Sequence, residues 1–176
     1  MTDALLCPDR FVPAPSMMAS FLDNTQFPWM EVALQEFHTS ERLGSTHNPR
    51  ILEYHSTCGA HAQDDETAWC SAFVNWVMRE VGLEGTRRAN ARSWRDWGNS
   101  VPLASPHYGA ITVLWRESRT SWKGHVGFLA GVEQGNLILL GGNQGNAVSL
   151  RAYPRSRLLD FRWPSAFPEP NLSMPT

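Results

Sequence analysis

Charge is sparse in this chain, and neither sign dominates. Charged residues make up 18% of the 176, and 15 Lys and Arg against 17 Asp and Glu leave a formal net charge of −2. With a pI near 6.3, a protein that holds nucleic acid on a basic face is not expected. No apolar run approaches the ~20 residues that a bilayer-spanning helix needs, so no membrane segment is expected either. The opening stretch MTDALLCPDRFVPAP lacks a basic segment leading into an apolar one. No secretory leader is therefore expected, and synthesis is expected in the cytoplasm. Cysteine is scarce as well. Cys7, Cys58 and Cys70 cannot all pair within one chain, which argues against a disulfide-built scaffold and fits a reducing compartment. Internal repeats and low-complexity blocks are missing.

What is present suits one domain. Hydrophobic residues are 42% of the chain, enough for a single core at this length. Residues 1–26 carry Pro8, Pro13 and Pro15 with no sustained period and read as a lead-in. Residues 164–176, with Pro164, Pro168, Pro170 and Pro175, read as a tail. Between them, 27–163 form the domain, helical first and extended later. Pro28 opens a helix in which Trp29, Val32, Ala33 and Phe37 recur at helical spacing. Asn48 caps a short helix that Pro49 begins and that runs to about His55. Thr67 is the expected cap of a helix over 69–81, stopped by Gly82. A further short helix is expected around 91–97.

Extended segments follow at 110–115, 125–132, 136–140, 147–150 and 158–163. Gly124, Gln134-Gly135, Gly141-Gly142 and Gly145-Asn146 break them into hairpins. Helices grouped ahead of hairpin-linked strands predict an α+β fold with an antiparallel sheet.

Two residues in this pattern have the types that nucleophilic catalysis needs. Cys70 falls in the first turn of its helix, where unpaired N–H groups and the helix dipole favour a thiolate. It shares a face with Phe73, Val74, Val77 and Val81, so the sulfur is expected to point at the sheet. His125 begins the alternating segment GHVGFLAGV, with Gly124 and Gly127 leaving room for close approach. A cysteine nucleophile requires an imidazole within reach, and the imidazole requires a group that fixes its ring. Asn143, in the turn GGNQGN, is placed to be that group. Each residue alone has a plainer reading, as a buried core thiol, a satisfied histidine and a turn asparagine.

The segments WCSAFVNW, GHVGF and GGNQGN together resemble the NlpC-type and CHAP-type amidases, the bacterial branch of the papain-like fold. A bacterial and phage peptidoglycan hydrolase subfamily also has counterparts of NPRILEY at 48–54, ARSW at 91–94 and YPRSRLL at 153–159. The likeness extends over roughly 28–163. It implies a nucleophile helix packed on an antiparallel sheet, with Cys70 as nucleophile, His125 as base and Asn143 as the polar third member. It further implies hydrolysis of an amide bond in a peptidoglycan stem peptide or cross-bridge through a thioester, with no metal or other cofactor. Cys70 N–H is the natural oxyanion donor, with Tyr54 or the Trp69 side chain as candidates for a second. The family often has Gly-Asp before the first main strand, where this chain has Gly109-Ala110.

Other readings fit the same residues. His55, Cys58, His61 and Cys70 are all residue types that zinc accepts, which would make the protein a metal-stabilised, non-catalytic binding module. An amine or lipid acceptor in place of water would make it a transferase. A wall hydrolase without a leader implies delivery by another route. An antibacterial effector of type VI secretion, with an immunity protein covering the Cys70 cleft, fits slightly better than a phage lysis enzyme. The tryptophans and the cluster Arg87, Arg88, Arg92 and Arg95 are assigned no site.

Overall fold

Three short helices pack against a six-stranded antiparallel sheet in a computed structural model that describes residues 27–42, 44, 46–59, 62–105 and 107–169. The expected lead-in at 1–26 and the last residues of the expected tail, 170–176, lie outside them. Helix α1 spans Pro28–Gln35 and α2 spans Pro49–His55, each opened by its proline. In α2 the Asn48 side chain accepts from the Arg50 N–H, as an N-cap asparagine should. Helix α3 spans Cys70–Glu80. Gly82 closes it with φ 75°, donating to the Arg79 carbonyl while Leu83 donates to that of Met78. Thr67 is not its cap. Trp69 holds that position with no side-chain bond, and the Thr67 N–H donates instead to Asp64.

The strands are β1 Asn99–Val101, β2 Ile111–Trp115, β3 Gly124–Glu133, β4 Asn136–Gly141, β5 Ser149–Pro154 and β6 Leu158–Trp163. Their order across the sheet is β1-β6-β2-β3-β4-β5. Gln134 and Gly135, both at positive φ, make the tight β3–β4 turn that their types favour. Two of the expected segments differ. β1 is too short and too polar to show in the sequence, and it exists because β6 offers it a partner. The segment expected at 147–150 begins and ends later, because Ala147 and Val148 leave β4 and pair with the chain at 38–40.

Register shifts at Val113/Leu114 and at Leu129/Gly131 mark bulges, which add twist. The sheet curls accordingly, and the end of β5 returns over the start of β3. Trp115 Nε1 donates to the Ser156 carbonyl, and Arg157 Nε donates to the Trp115 carbonyl. The core lies between α3 and the sheet, where Phe73, Val74 and Val77 meet Phe128, Leu139 and Leu140, all fully buried. Residues 164–169 continue this packing. Phe167 stands edge-on to Trp29 at 5.0 Å, and Trp163 Nε1 donates to the Pro168 carbonyl.

Candidate active site

The start of α3 meets the start of β3. Cys70 is buried because the apolar face of α3 must cover the sheet, which puts its sulfur against the backbone of β3. There the backbone N–H of Val126 and, from the helix start, those of Ser71 and Cys70 act on the sulfur. The residue before Val126 is His125. Burial pushes the Cys70 thiol up, against those N–H groups and the nearby Arg116 charge, which pull it down. The lowering expected from the helix start is therefore outweighed, because desolvation disfavours a charge more than one helix end favours it.

His125 is buried in β3, opposite Leu114 of β2. Its Nε2 lies 3.0 Å from Gln144 Oε1. The Gln144 amide nitrogen donates to the carbonyls of Leu139 and Ser149, so only its oxygen is left to face the ring. His125 Nε2 therefore carries the proton, and in the neutral ring Nδ1 is the free acceptor. Burial, reinforced by Arg116, Arg157 and Arg151 and opposed by the Gln144 bond, lowers the His125 pKa to about 4. At rest Cys70 is thus a neutral thiol against β3, and His125, one residue before Val126 in that strand, is a neutral imidazole.

The ring's partner is not Asn143. That residue has φ 56°, which turns the chain so that the next side chain, Gln144, points inward. Among the described residues the Asn143 side chain makes no hydrogen bond. Gln144 is locked by its own loop, with its N–H donating to the Ala147 carbonyl and Ser149 Oγ donating to its carbonyl. The signal was adjacent in the sequence, but only the left-handed turn decides which of two neighbouring amides enters the site.

The motif residues around this pair are braces. Trp69 Nε1 donates to Glu41, and the Tyr54 hydroxyl to Glu36, so both candidates for a second oxyanion donor already have acceptors. Trp94 Nε1 donates to Ser71 Oγ, which donates to the Arg88 carbonyl. Asn75 accepts from the Arg87 N–H. Arg92 donates to the carbonyls of Lys123, Arg119 and Ser118 and so holds the β2–β3 loop. Gly142 is required for close approach, since a Cβ there would lie 2.5 Å from the Trp69 ring and 2.7 Å from Phe73 Cβ.

For the zinc reading, no group of three His, Cys, Asp or Glu among the described residues could hold a metal ion. Cys58 takes a long contact from Asn75 Nδ2, Cys70 faces β3, and His61 lies outside the described residues.

Residues 62–143 match the CHAP domain, a span that begins ahead of α3 and includes both Cys70 and His125. The match takes in 82 of the 176 residues, a little under half of the chain, and makes that stretch similar to CHAP domains. CHAP domains form a peptidoglycan hydrolase family. The matched span stops one residue short of Gln144, so the partner of the histidine comes from the structure alone. A solved structure described as similar to a lipoprotein of the NLP/P60 family, from Staphylococcus aureus subsp. aureus Mu50, shares 16% identity at a TM-score of 0.48. That similarity covers 80% of this chain and 41% of that one, so the chain spans about two fifths of its length. The fold assignment rests on this chain's own helix and sheet. No curated protein matches the sequence.

Proposed function

We propose that this chain is a CHAP-type amidase that hydrolyses an amide bond in a peptidoglycan stem peptide or cross-bridge, with Cys70 as nucleophile, His125 as base and Gln144 as the residue that orients the base. The observation that carries the reading is the thiol of Cys70 at the backbone of Val126, the residue that follows His125, whose imidazole has the tautomer that leaves Nδ1 unprotonated.

The chemistry follows from the neutral pair. As the sulfur attacks the carbonyl, its proton passes to His125 Nδ1, and the oxyanion gathers at the Cys70 N–H. The imidazolium returns that proton to the leaving amine, and a thioester remains. Water attacks the thioester with Nδ1 again taking its proton, and the acid and free thiol separate. Gln144 acts throughout by accepting from Nε2, which holds the ring in one plane.

Mass spectrometry of digested cell-wall sacculi tests the reading. Wild type is expected to create new amine and carboxyl termini, and Cys70→Ala none. New sugar reducing ends, or equal products from both proteins, would overturn it. Products carrying an added amine would replace the hydrolase with a transferase. We place the reaction in the wall of a target cell, as that of an antibacterial effector whose immunity protein covers the Cys70 cleft. Expression with an added periplasmic export signal is expected to lyse the host only while Cys70 is intact, with rescue by the product of a neighbouring gene. Absence of lysis would remove the effector setting.

A further inference from the structure

Three guanidinium groups converge on the Cys70–His125 site, and none has a carboxylate within 4.0 Å among the described residues. Arg116 follows β2, Arg151 lies in β5, and Arg157 lies in the turn before β6. The Tyr153 ring is the common surface of Arg151 and Arg157, and the Arg116 charge acts on the same residue. The ring sits 5.1 Å from the His125 ring, with Arg157 Cζ at 5.3 Å and Arg151 Cζ at 6.0 Å from its centre. Arg157 also stacks on Trp115 at 5.9 Å while its Nε donates to the Trp115 carbonyl. The plane of that guanidinium is thereby fixed, and its two Nη groups are free of hydrogen bonds among the described residues. All three charges act on His125, and Arg116 acts on Cys70 as well.

Lacking a carboxylate is not peculiar to these three. Arg50, Arg79, Arg95, Arg162 and Lys123 each pair with one, while Arg42, Arg87, Arg88, Arg92, Arg119 and Arg155 have none within 4.0 Å among the described residues. What sets the three apart is that they gather at the His125 ring. Three unpaired like charges in one place repel one another, and they also oppose the imidazolium that the reaction must form. A bound anion offsets both costs. A planar guanidinium held by two rings is built to take a carboxylate with two parallel N–H bonds.

On the reading that Cys70 and His125 are the reacting pair, we propose that Arg116, Arg151 and Arg157 form a carboxylate-binding subsite that selects acidic peptides with a free carboxylate close to the scissile amide. The subsite fixes the substrate at a second point beside the sulfur, which orients the carbonyl for attack.

The test uses stem peptides in which each free carboxylate is converted in turn to a carboxamide. For one of them, wild type is expected to lose about tenfold or more in kcat/KM, mostly through KM, as a site built for a polar group does when that group is changed. In Arg116→Gln and Arg157→Gln this preference is expected to fall towards one. Arg116 is exposed and its side chain has no hydrogen bond among the described residues, so its variant folds even if Arg157→Gln does not. Calorimetry on Cys70→Ala reads the subsite without turnover. Preferential binding of the acidic peptide, lost on adding Arg116→Gln, supports the subsite even if neither peptide is cleaved and the hydrolase reading fails. Equal binding of acid and amide overturns the subsite even if both are cleaved.

Discussion

The wall of the site made by α3 and the end of β4 is dry and filled, whereas the wall made by Tyr153 and the three arginines is charged and partly open. In the first, Trp69 and Phe73 leave no space for a side chain at 142. The second keeps guanidinium groups over aromatic rings with no carboxylate to neutralise them. One wall determines where the sulfur and the imidazole sit. The other carries cations with no carboxylate partner among the described residues. A rigid wall tolerates almost no change, while a charged wall can change its preference without changing its shape.

Variants sharpen this contrast, the largest effect first. His125→Ala is expected to lower kcat by about 10⁴-fold, since the thiol then has no base, with peptide release followed by chromatography. Gln144→Ala is expected to cost about 10- to 100-fold in kcat, because a ring free to turn is rarely aimed at the sulfur. Equal activity to wild type would remove Gln144 from its orienting role. Gly142→Ala forces α3 off the sheet and is expected to cost about 1–3 kcal/mol in urea unfolding. Asn143→Ala is expected to change kcat by less than about threefold and to lose about 1 kcal/mol of stability, from the left-handed backbone alone. If Asn143→Ala exceeded Gln144→Ala in its effect on kcat, the assignment of the two amides would be reversed.

The dry wall also sets a pH dependence. His125 must be neutral to act as base, and its pKa is lowered to about 4. The acidic limb of kcat/KM is therefore expected near pH 4 rather than near the ordinary histidine value of about 6.5. The same shift links to folding. The unfolded chain takes up this proton below about 6.5 and the folded chain only near 4, so the contribution is full above 6.5 and is lost as pH falls between them. Urea midpoints measured from pH 7 to 4.5 are expected to fall less steeply in His125→Gln than in wild type.

The helix that bears Cys70 was legible because its signals are local. Its apolar face recurs at three and four residues, and Gly82 ends it through its own backbone freedom. Thr67 misled because a cap depends on where the preceding loop goes, and here Asp64 claims its N–H. The histidine strand was legible from alternation and its flanking glycines. Gln144 was not, because a turn residue's side-chain direction depends on the φ of its neighbour, which no periodicity records. The arginines were illegible for another reason. Positions 116, 151 and 157 meet only when a bulged sheet curls back on itself.

By itself, then, the sequence determined the α+β order, the helix bearing Cys70, the strand bearing His125 and the resemblance that ties them to one chemistry. These rest on contacts between residues a few positions apart, which composition and period encode directly. Tertiary structure alone decided which amide holds the imidazole, how far burial offsets the helix end at the thiol, and which cations face the site. Each depends on groups distant in the chain sharing a small volume without water, and a linear pattern carries no record of that volume.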